Sequence, residues 1–228
     1  MPEIYVSVDV ETDGPCPGLN SMLSIGAAAL DPAKGIGLDA IVGQFSANVV
    51  QLPGAKPDPI TTKWWEERPE IWELCRRDAQ DPAAVFGRFA EWLDGLPRVV
   101  FVGYPLAFDF SFVHYYLHRF AGRNPFGYRT VDVGSYAMAV LGGGYDETAT
   151  RNWPEHWFDR TLPHTHVAIE DAVEQGVMFL RILNDHTSGV WGAPLGRSSA
   201  CPVCARPGGS LIDGPHTYGT GCHRRKFG

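Results

Sequence analysis

The N-terminal segment constrains the fold more than any other part of the chain. In residues 4–10, apolar side chains at every second position alternate with more polar ones, and this period of two is typical of a β-strand. Asp9 and Glu11 share one face of that strand, because side chains two residues apart project in the same direction. A solvated strand end is the plain explanation of such a pair. The strand is otherwise apolar, however, and an unpaired carboxylate is costly there, which favours a functional pair.

Four further segments have the composition of β-strands. Residues 24–30 and 36–45 are separated by a turn-rich stretch, so the chain is predicted to open as an antiparallel meander of three strands. Residues 99–102 form a short apolar run suited to a strand covered on both faces. Residues 131–133 are a candidate for a short edge strand.

Helical patterns dominate the rest of the chain. Asp81 and Pro82 have the pattern of an N-cap and a first helical residue, and the apolar residues that follow share one face. Residues 110–120, 135–141 and 166–183 are the other helix candidates. Strands first, followed by alternating helices and strands, predict an α/β protein with a mixed sheet flanked by helices.

Length and composition bound the domain organisation. A chain of 228 residues with 44% hydrophobic residues can bury one sizeable core. We therefore expect one domain over residues 1–183, followed by a Gly/Pro/Cys-rich tail over residues 184–228. The absence of an apolar run of ~18 residues predicts a soluble, cytoplasmic protein with no membrane partner. Five cysteines, three of them in the tail, fit a reducing compartment better than a disulfide framework.

Charge argues against a protein that binds long duplexes through a basic surface. The formal net charge is -7, and residues 1–183 carry 24 acidic and 14 basic side chains, whereas residues 184–228 carry 2 and 5. A duplex-binding domain usually has a basic face. If the main domain binds phosphates, bound cations must supply much of the attraction.

Asp109 is a third acidic candidate. It follows the apolar run of residues 99–102 and lies at the predicted start of the next helix. A carboxylate there can serve as a helix cap favoured by the helix dipole. Phe108 and Phe110 flank it, and shielding from water suits a metal ligand better than a cap.

His166 and Asp171 complete the set of candidates. They are five residues apart, which separates them by ~140° in a regular helix, so they cannot share a helix face. His166 is therefore predicted to lie on the approach to the last helix, and Asp171 in its first turns. His164 is an equal candidate by residue type.

Three motifs in this order resemble the exonuclease motifs of the DEDDh 3′-5′ exonucleases. They are Asp9-Val10-Glu11-Thr12, Phe108-Asp109, and the segment from His166 to Ala172. The resemblance covers about residues 4–183. It implies the ribonuclease H-like fold, in which the first three strands of a mixed five-stranded sheet are antiparallel. Segments around Trp64 and Ser24 are similar to a bacterial and phage exoribonuclease-like branch of the family.

The resemblance also implies residue roles. His166 becomes the general base, and the metal ligands become Asp9, Glu11, Asp109 and Asp171. One departure is that Tyr104 stands where many members have Asn, four residues before the Phe-Asp pair. This change leaves the ligands intact and affects the contacts to the terminal nucleotide.

Clustered carboxylates favour divalent cations. Four of them would raise each other's pKa unless cations neutralise them, and all-oxygen ligands prefer Mg²⁺ or Mn²⁺ to zinc. Two ions per site and a histidine that accepts a proton from water constitute a known route to phosphodiester cleavage. We therefore predict an exonuclease that hydrolyses 3′ ends of single-stranded DNA or RNA, or overhangs, and releases nucleoside 5′-monophosphates.

Two other functions fit the same residues. One is a phosphodiesterase for dinucleotides or short oligonucleotides, which the acidic composition favours. The other is a catalytically silent module that binds nucleic acid, against which the retention of all five site residues argues.

An exonuclease must also hold a frayed strand end. Aromatic stacking and an apolar wedge between bases can do so without reading sequence. The candidates for this contact are Leu23, Trp64, Trp65 and Phe108, with Thr12 as a contact to the terminal sugar. Core packing is the alternative for at least one tryptophan, because adjacent side chains cannot both face one pocket.

The tail contains half of a zinc-site pattern. Cys201 and Cys204 are spaced as ligands, and Cys222 with His223 or His216 could supply the remaining ligands of a structural Zn²⁺. Reduced thiols in a tail without metal explain the same residues. The basic C-terminus could help hold nucleic acid.

Overall fold

Five strands form one sheet in the order β3-β2-β1-β4-β5. The strands are β1 (Ile4–Thr12), β2 (Met22–Leu30), β3 (Ile41–Asn48), β4 (Val99–Gly103) and β5 (Thr130–Asp132). β1 is central, because it pairs antiparallel with β2 and parallel with β4. The antiparallel meander and the mixed α/β sheet predicted from the sequence are confirmed.

Six helices accompany the sheet in the described part of the chain. They are α1 (Pro59–Glu66), α2 (Pro69–Leu74), α3 (Pro82–Asp94), α4 (Leu106–Tyr116), α5 (Val133–Leu141) and α6 (Ala168–Ser188). Local sequence explains several starts. Asp58 and Asp81 each accept two backbone N–H groups of the following turn, and proline occupies the first helical position after each.

Element boundaries differ from the sequence-based prediction at three places. The third strand begins at Ile41 instead of residue 36, because Leu38–Ala40 form a short 3-10 turn. α4 begins at Leu106, directly after Pro105, which lacks an N–H and suits a helix start. α6 begins at Ala168 and continues to Ser188, so that His166 precedes the helix as predicted.

The two faces of the sheet are covered by different helices. On β1, apolar side chains at even positions join a core cluster with α3 and α4, in which Phe86, Phe89 and Phe112 are fully buried. Tyr5 on the opposite face packs against Phe179 of α6, with ring centroids 4.9 Å apart. Asp9 and Glu11 share the Tyr5 face by the alternation of the strand, and therefore lie on the side of α6.

Glycines allow α6 to lie directly on the sheet. A Cβ at Gly26 of β2 would be 2.2 Å from backbone atoms of Ala168 and Ile169, a distance that no side chain can occupy. On the helix side, a Cβ at Gly176 would be 2.5 Å from Leu30 and 3.0 Å from Ser7. Gly26 is the register partner of Asp9, so this close approach occurs beside the acidic pair.

The structure, a computed structural model, describes residues 3–189. The chain divides into units of Met1–Asn184 and Asp185–Gly228, and only the first few residues of the second unit are described. The predicted zinc ligands Cys201, Cys204, Cys222 and His223 lie outside the described residues, and the division into residues 1–183 and 184–228 stays a prediction. Within residues 3–189, every helix is too short or too polar to cross a bilayer.

Candidate active site

Three carboxylates from distant parts of the chain meet at the end of β1. Asp9 and Glu11 project from the strand, and Asp171 comes from the first turns of α6. Their ligand atoms all lie within 4.8 Å of one another. The site thus combines the alternation of a strand with the docking of a helix that begins almost 160 residues later in the chain.

Asp109 lies beside this group and is not part of the 4.8 Å cluster. It occupies the first turn of α4 and is only 2% exposed. Its Oδ1 accepts a hydrogen bond of 3.2 Å from the backbone N–H of Val10, which lies between the two strand carboxylates. All four predicted metal ligands therefore border one region at the end of β1.

Asp171 also organises the loop that carries His166. Its two oxygens accept backbone N–H groups from Thr165 at 2.8 Å and from His166 at 2.9 Å. His166 has φ +58°, an uncommon backbone conformation for a residue other than glycine. The carboxylate thus holds the turn immediately before α6 and keeps the imidazole next to the acidic group.

The His166 ring is held between two other rings. His164 lies 4.6 Å away and Trp64 of α1 lies 4.9 Å away, and both contacts are edge-on. The thiol of Cys75, which follows α2, donates to the His166 carbonyl at 4.0 Å. Trp64 of α1 and Cys75 at the end of α2 therefore contact the segment around His166, the same segment whose backbone N–H groups Asp171 accepts.

The pKa values of Asp9, Glu11 and Asp109 are all raised, which indicates that a positive charge between these carboxylates would be favourable. Loss of hydration and repulsion from Asp109, Glu11 and Asp171 raise the pKa of Asp9 well above its usual value. Burial and repulsion from Asp171 and Asp109 raise the pKa of Glu11 to about 8, and burial raises that of Asp109 to about 7. A cation bound among these groups would replace the protons, so the donor set fits a divalent metal ion with oxygen ligands.

His166 has the opposite shift. Partial burial, together with the neighbouring His164, lowers the pKa of its imidazole, although Asp171 acts in the other direction. A lowered pKa keeps the imidazole neutral near pH 7, the form that can accept a proton.

A cavity of about 190 Å³ opens next to the acidic group. Of the five residues predicted as candidates for substrate contacts, Thr12, Trp64 and Phe108 line it together with Glu11. Trp65 lines it as well, but only 3% of Trp65 is exposed, and its Nε1–H donates to the Thr12 carbonyl at 2.9 Å. Trp64 is partly exposed, so core packing applies to Trp65 rather than to Trp64.

Leu23 does not fit the role of an apolar wedge. Its side chain is fully buried and packs in a small cluster with Trp65 and Cys75, which α1 and α2 close over the sheet. It has no surface with which to separate two bases. The sequence shows that Leu23 is an apolar residue near the end of a strand. It does not show that α1 and α2 pack over that residue.

Tyr104 contacts residues that follow α5. Its ring packs against Trp153 at 5.3 Å, its hydroxyl bonds to the Thr150 hydroxyl, and it lines a separate cavity of about 220 Å³. An aromatic residue at this position is thus anchored to the segment between α5 and α6.

Comparison with known proteins identifies the family of this chain. No protein-family model matches the chain. A curated relative, the Escherichia coli 3′-5′ DNA exonuclease Cap18, is 35% identical over 191 residues, which cover 78% of this chain and 90% of the relative. The chain belongs to the DEDDh 3′-5′ exonuclease family. This family is part of the ribonuclease H-like superfamily, and DEDDh exonucleases use divalent metal ions.

Solved exonuclease structures share the fold at low identity. The nuclease domain of 3′hExo, a DEDDh family member bound to rAMP, superposes with a TM-score of 0.59 at 12% identity, covering 81% of this chain and 93% of that one. The zinc-bound form of an E. coli ExoI–ssDNA complex gives 0.57 at 16% identity, covering 88% of this chain. This exonuclease spans only 44% of the length of that ExoI chain.

Two residues near the active site of this exonuclease were not among the predicted site residues. Glu174 accepts from the His164 ring at 3.2 Å, and its charge raises the pKa of Asp9. It lies three residues after Asp171, so the helical period places both on one face of α6. That spacing was the available signal for Glu174, whereas the contact of Cys75 with His166 depends on tertiary packing alone.

Proposed function

We propose that the chain is a metal-dependent exonuclease that hydrolyses single-stranded DNA from the 3′ end and releases nucleoside 5′-monophosphates. The observation that carries this proposal is the convergence of Asp9, Glu11 and Asp171 within 4.8 Å, beside Asp109 and the neutral His166. The name of the Cap18 relative favours DNA over RNA as substrate. The exoribonuclease-like branch suggested by local sequence stays a prediction.

The four carboxylates are proposed to hold two Mg²⁺ or Mn²⁺ ions. Such ions, when bound, promote ionisation of the attacking water and stabilise charge on the phosphoryl group and the leaving 3′ oxygen. Oxygen-only ligands and the raised pKa values of Glu11 and Asp109 support hard divalent cations at this place.

His166 is proposed as the general base. Its imidazole takes the proton of the attacking water, for which the lowered pKa keeps a free nitrogen available. The loop hydrogen bonds to Asp171 fix the histidine next to the ligands, so positioning and proton transfer depend on the same carboxylate.

The terminal nucleotide is proposed to occupy the 190 Å³ cavity. Trp64 and Phe108 offer aromatic surface for the base. The predicted sugar contact, Thr12, lines the same cavity next to Glu11, where its hydroxyl donates to the Gly14 carbonyl at 2.9 Å. The overall negative charge leaves binding dependent on the metal ions and these contacts. A cytoplasmic location stays the prediction made from the cysteine content of the sequence.

The decisive experiment is one time course with matched DNA and RNA 20-mers, single- and double-stranded, labelled at the 5′ end. Reactions contain Mg²⁺, Mn²⁺ or EDTA, and Asp9→Asn is the control variant. We expect single-stranded DNA to shorten one nucleotide at a time in either metal, and no product in EDTA or with Asp9→Asn. Activity that survives in Asp9→Asn would refute the ligand assignment.

A dinucleotide substrate and a binding measurement, added to this assay, separate the alternatives. Faster turnover of a dinucleotide than of the 20-mer would identify a phosphodiesterase for short oligonucleotides. Metal-dependent binding without cleavage of any substrate would identify a silent binding module. Preferential degradation of RNA would favour the exoribonuclease-like branch.

A further inference from the structure

His164 lies outside the proposed catalytic machinery, yet it contacts that machinery closely. Its side chain is 56% exposed, and its Nδ1 lies 3.3 Å from Oδ2 of Asp171 and 3.2 Å from Oε2 of Glu174. The ring of His166 is 4.6 Å away. Ligand atoms of His164, His166 and Asp171 all lie within 4.8 Å of one another.

This group differs chemically from the carboxylates at the end of β1. It offers two imidazole rings and one carboxylate, a donor set that suits zinc, whereas the four-carboxylate group offers oxygen only. A tetrahedral zinc ion with bonds of ~2.0–2.1 Å has ligand atoms ~3.3 Å apart. The separation of 3.3 Å between His164 and Asp171 matches that spacing.

We propose that His164, His166 and Asp171 form an inhibitory Zn²⁺ site, with Glu174 or water as the fourth ligand. The loop is already arranged for this role, because Asp171 accepts the backbone N–H groups of Thr165 and His166 and so fixes the segment between the two histidines. The exposure of His164 gives an ion in solution access to the group.

The consequence for catalysis rests on the proposed function. A zinc ion on the His166 imidazole occupies the lone pair that would accept the proton of water, and it competes for the Asp171 carboxylate. Zinc would therefore stop hydrolysis while Asp9 and Glu11 keep their own ligand positions. His164 is the one residue of the trio that is not needed for hydrolysis itself, so it separates inhibition from catalysis.

The test uses the full chain and ZnCl₂ at saturating Mg²⁺. Wild type, His164→Gln and the control His118→Gln, an exposed histidine of another helical segment, are compared in two measurements. The first is the zinc concentration that halves exonuclease activity, relative to each variant's own rate without zinc. The second is the number of zinc ions bound per chain after equilibrium dialysis, in which any zinc held by the tail counts equally for all three proteins.

We expect His164→Gln to bind one zinc ion fewer than wild type and His118→Gln. We also expect its half-inhibiting zinc concentration to rise ~10-fold or more, since even the loss of an outer partner of a metal ligand costs that much affinity. Equal zinc counts, or inhibition unchanged by His164→Gln, would overturn the proposal and point to zinc at the β1 carboxylates. The zinc count is independent of nuclease activity, so it remains decisive even if the proposed function fails.

Discussion

At the scale of single residues, His166 is positioned by its backbone as much as by its ring. A left-handed conformation costs an L-residue ~1–2 kcal/mol, and the observed φ of +58° persists because Asp171 accepts the backbone N–H and Cys75 donates to the carbonyl. The surrounding contacts thus keep the imidazole beside the carboxylates at a cost in local stability.

Replacing His166 tests the proposed base directly. We expect His166→Ala to lower the exonuclease rate by ~10²–10⁴-fold, the usual contribution of a general base, with unchanged affinity for Mg²⁺. His166→Gly should be equally inactive but more stable than His166→Ala by ~1 kcal/mol, because glycine adopts positive φ freely. Rates, Mg²⁺ titrations and thermal melting distinguish these effects. An active His166→Ala would exclude the proton-transfer role.

Asp9 is expected to lower the stability of the metal-free protein and to be required for metal-dependent hydrolysis. Its pKa is raised by loss of hydration and by Asp109, Glu11 and Asp171, so its ionised form is unfavourable in the metal-free protein. We expect Asp9→Asn to abolish metal-dependent hydrolysis and to raise the melting temperature in EDTA at about pH 8 by ~2–4 °C, as expected for ~1 kcal/mol. Asp146→Asn, the same change at an exposed aspartate, is the comparison. A lower melting temperature for Asp9→Asn would contradict this account.

Short-range rules predicted where several site residues lie, and the resemblance to the exonuclease family supplied their roles. The alternation of β1 placed Asp9 and Glu11 together, and the helical angle placed His166 before α6 instead of within it. The burial of Leu23 could not be foreseen, because it depends on helices α1 and α2 folding over a strand end. The contact of Cys75 with the His166 carbonyl is likewise a product of tertiary packing across 91 residues of chain.

At the scale of elements, β1 and α6 pack along each other, and the spacing of every second strand residue is close to that of every fourth helical residue. Two strand residues advance ~6.8 Å and four helical residues ~6 Å, so side chains can meet repeatedly along both. Tyr5 meets Phe179, and Ser7 accepts a 2.8 Å hydrogen bond from the buried side chain of Gln175. The next step brings Asp171 to Asp9. The contact between these elements therefore changes from apolar to polar to acidic along its length.

The close packing of α6 on β2 makes Gly26 critical. In Gly26→Ala the added Cβ would be 2.2 Å from the backbone of Ala168, and backbone cannot move aside as a flexible side chain can. We expect a loss of ~3 kcal/mol in the free energy of unfolding and a loss of activity, because Asp171 moves with the helix. Denaturant unfolding and rate measurements test both effects.

Gly87→Ala is the matched control for that substitution. Gly87 lies within α3, and a Cβ there meets nothing within 4 Å. The change should be neutral or stabilising by up to ~1 kcal/mol, as alanine is the better helix former, and activity should not change. Equal behaviour of the two variants would show that helix packing on Gly26 does not position the site.

Periodicity predicted the main elements but not all of their limits. The antiparallel meander and the start of α3 followed from alternation and from the Asp81-Pro82 pair. The 3-10 turn at Leu38–Ala40 has no side-chain cap that the sequence could have indicated. The start of α4 at Leu106 has a local signal in Pro105 and is also held by a contact distant in sequence, because the Leu106 N–H donates to Asp132 Oδ2 at 3.0 Å. Boundaries of this kind are decided by tertiary contacts.

At the scale of the whole molecule, the acidic balance of the main domain and the raised pKa values at its site act together. Residues 1–183 carry ten more acidic than basic side chains, and several of the acidic ones surround the end of β1. Self-repulsion of this kind weakens the compact state unless cations bind. Metal binding is therefore expected to stabilise the folded chain as well as to support hydrolysis. Melting temperature and hydrolysis rate measure these two effects separately.

The metal-free protein should become less stable as pH rises, and Mg²⁺ should reverse that trend. Glu11 has a pKa of about 8 in the folded chain against 4.5 as its ordinary value, so the folded state holds the proton more tightly between these values. Stability from this group is fully present below pH ~4.5 and is lost as pH rises through ~8. Mg²⁺ competes with protons for the same oxygens, so it should bind and stabilise more strongly at about pH 8 than at about pH 6. We expect the gain in melting temperature from Mg²⁺ over EDTA to be larger at the higher pH by roughly 3 °C or more. A gain independent of pH, or one that survives in Asp9→Asn, would place the stabilising ion elsewhere on the chain.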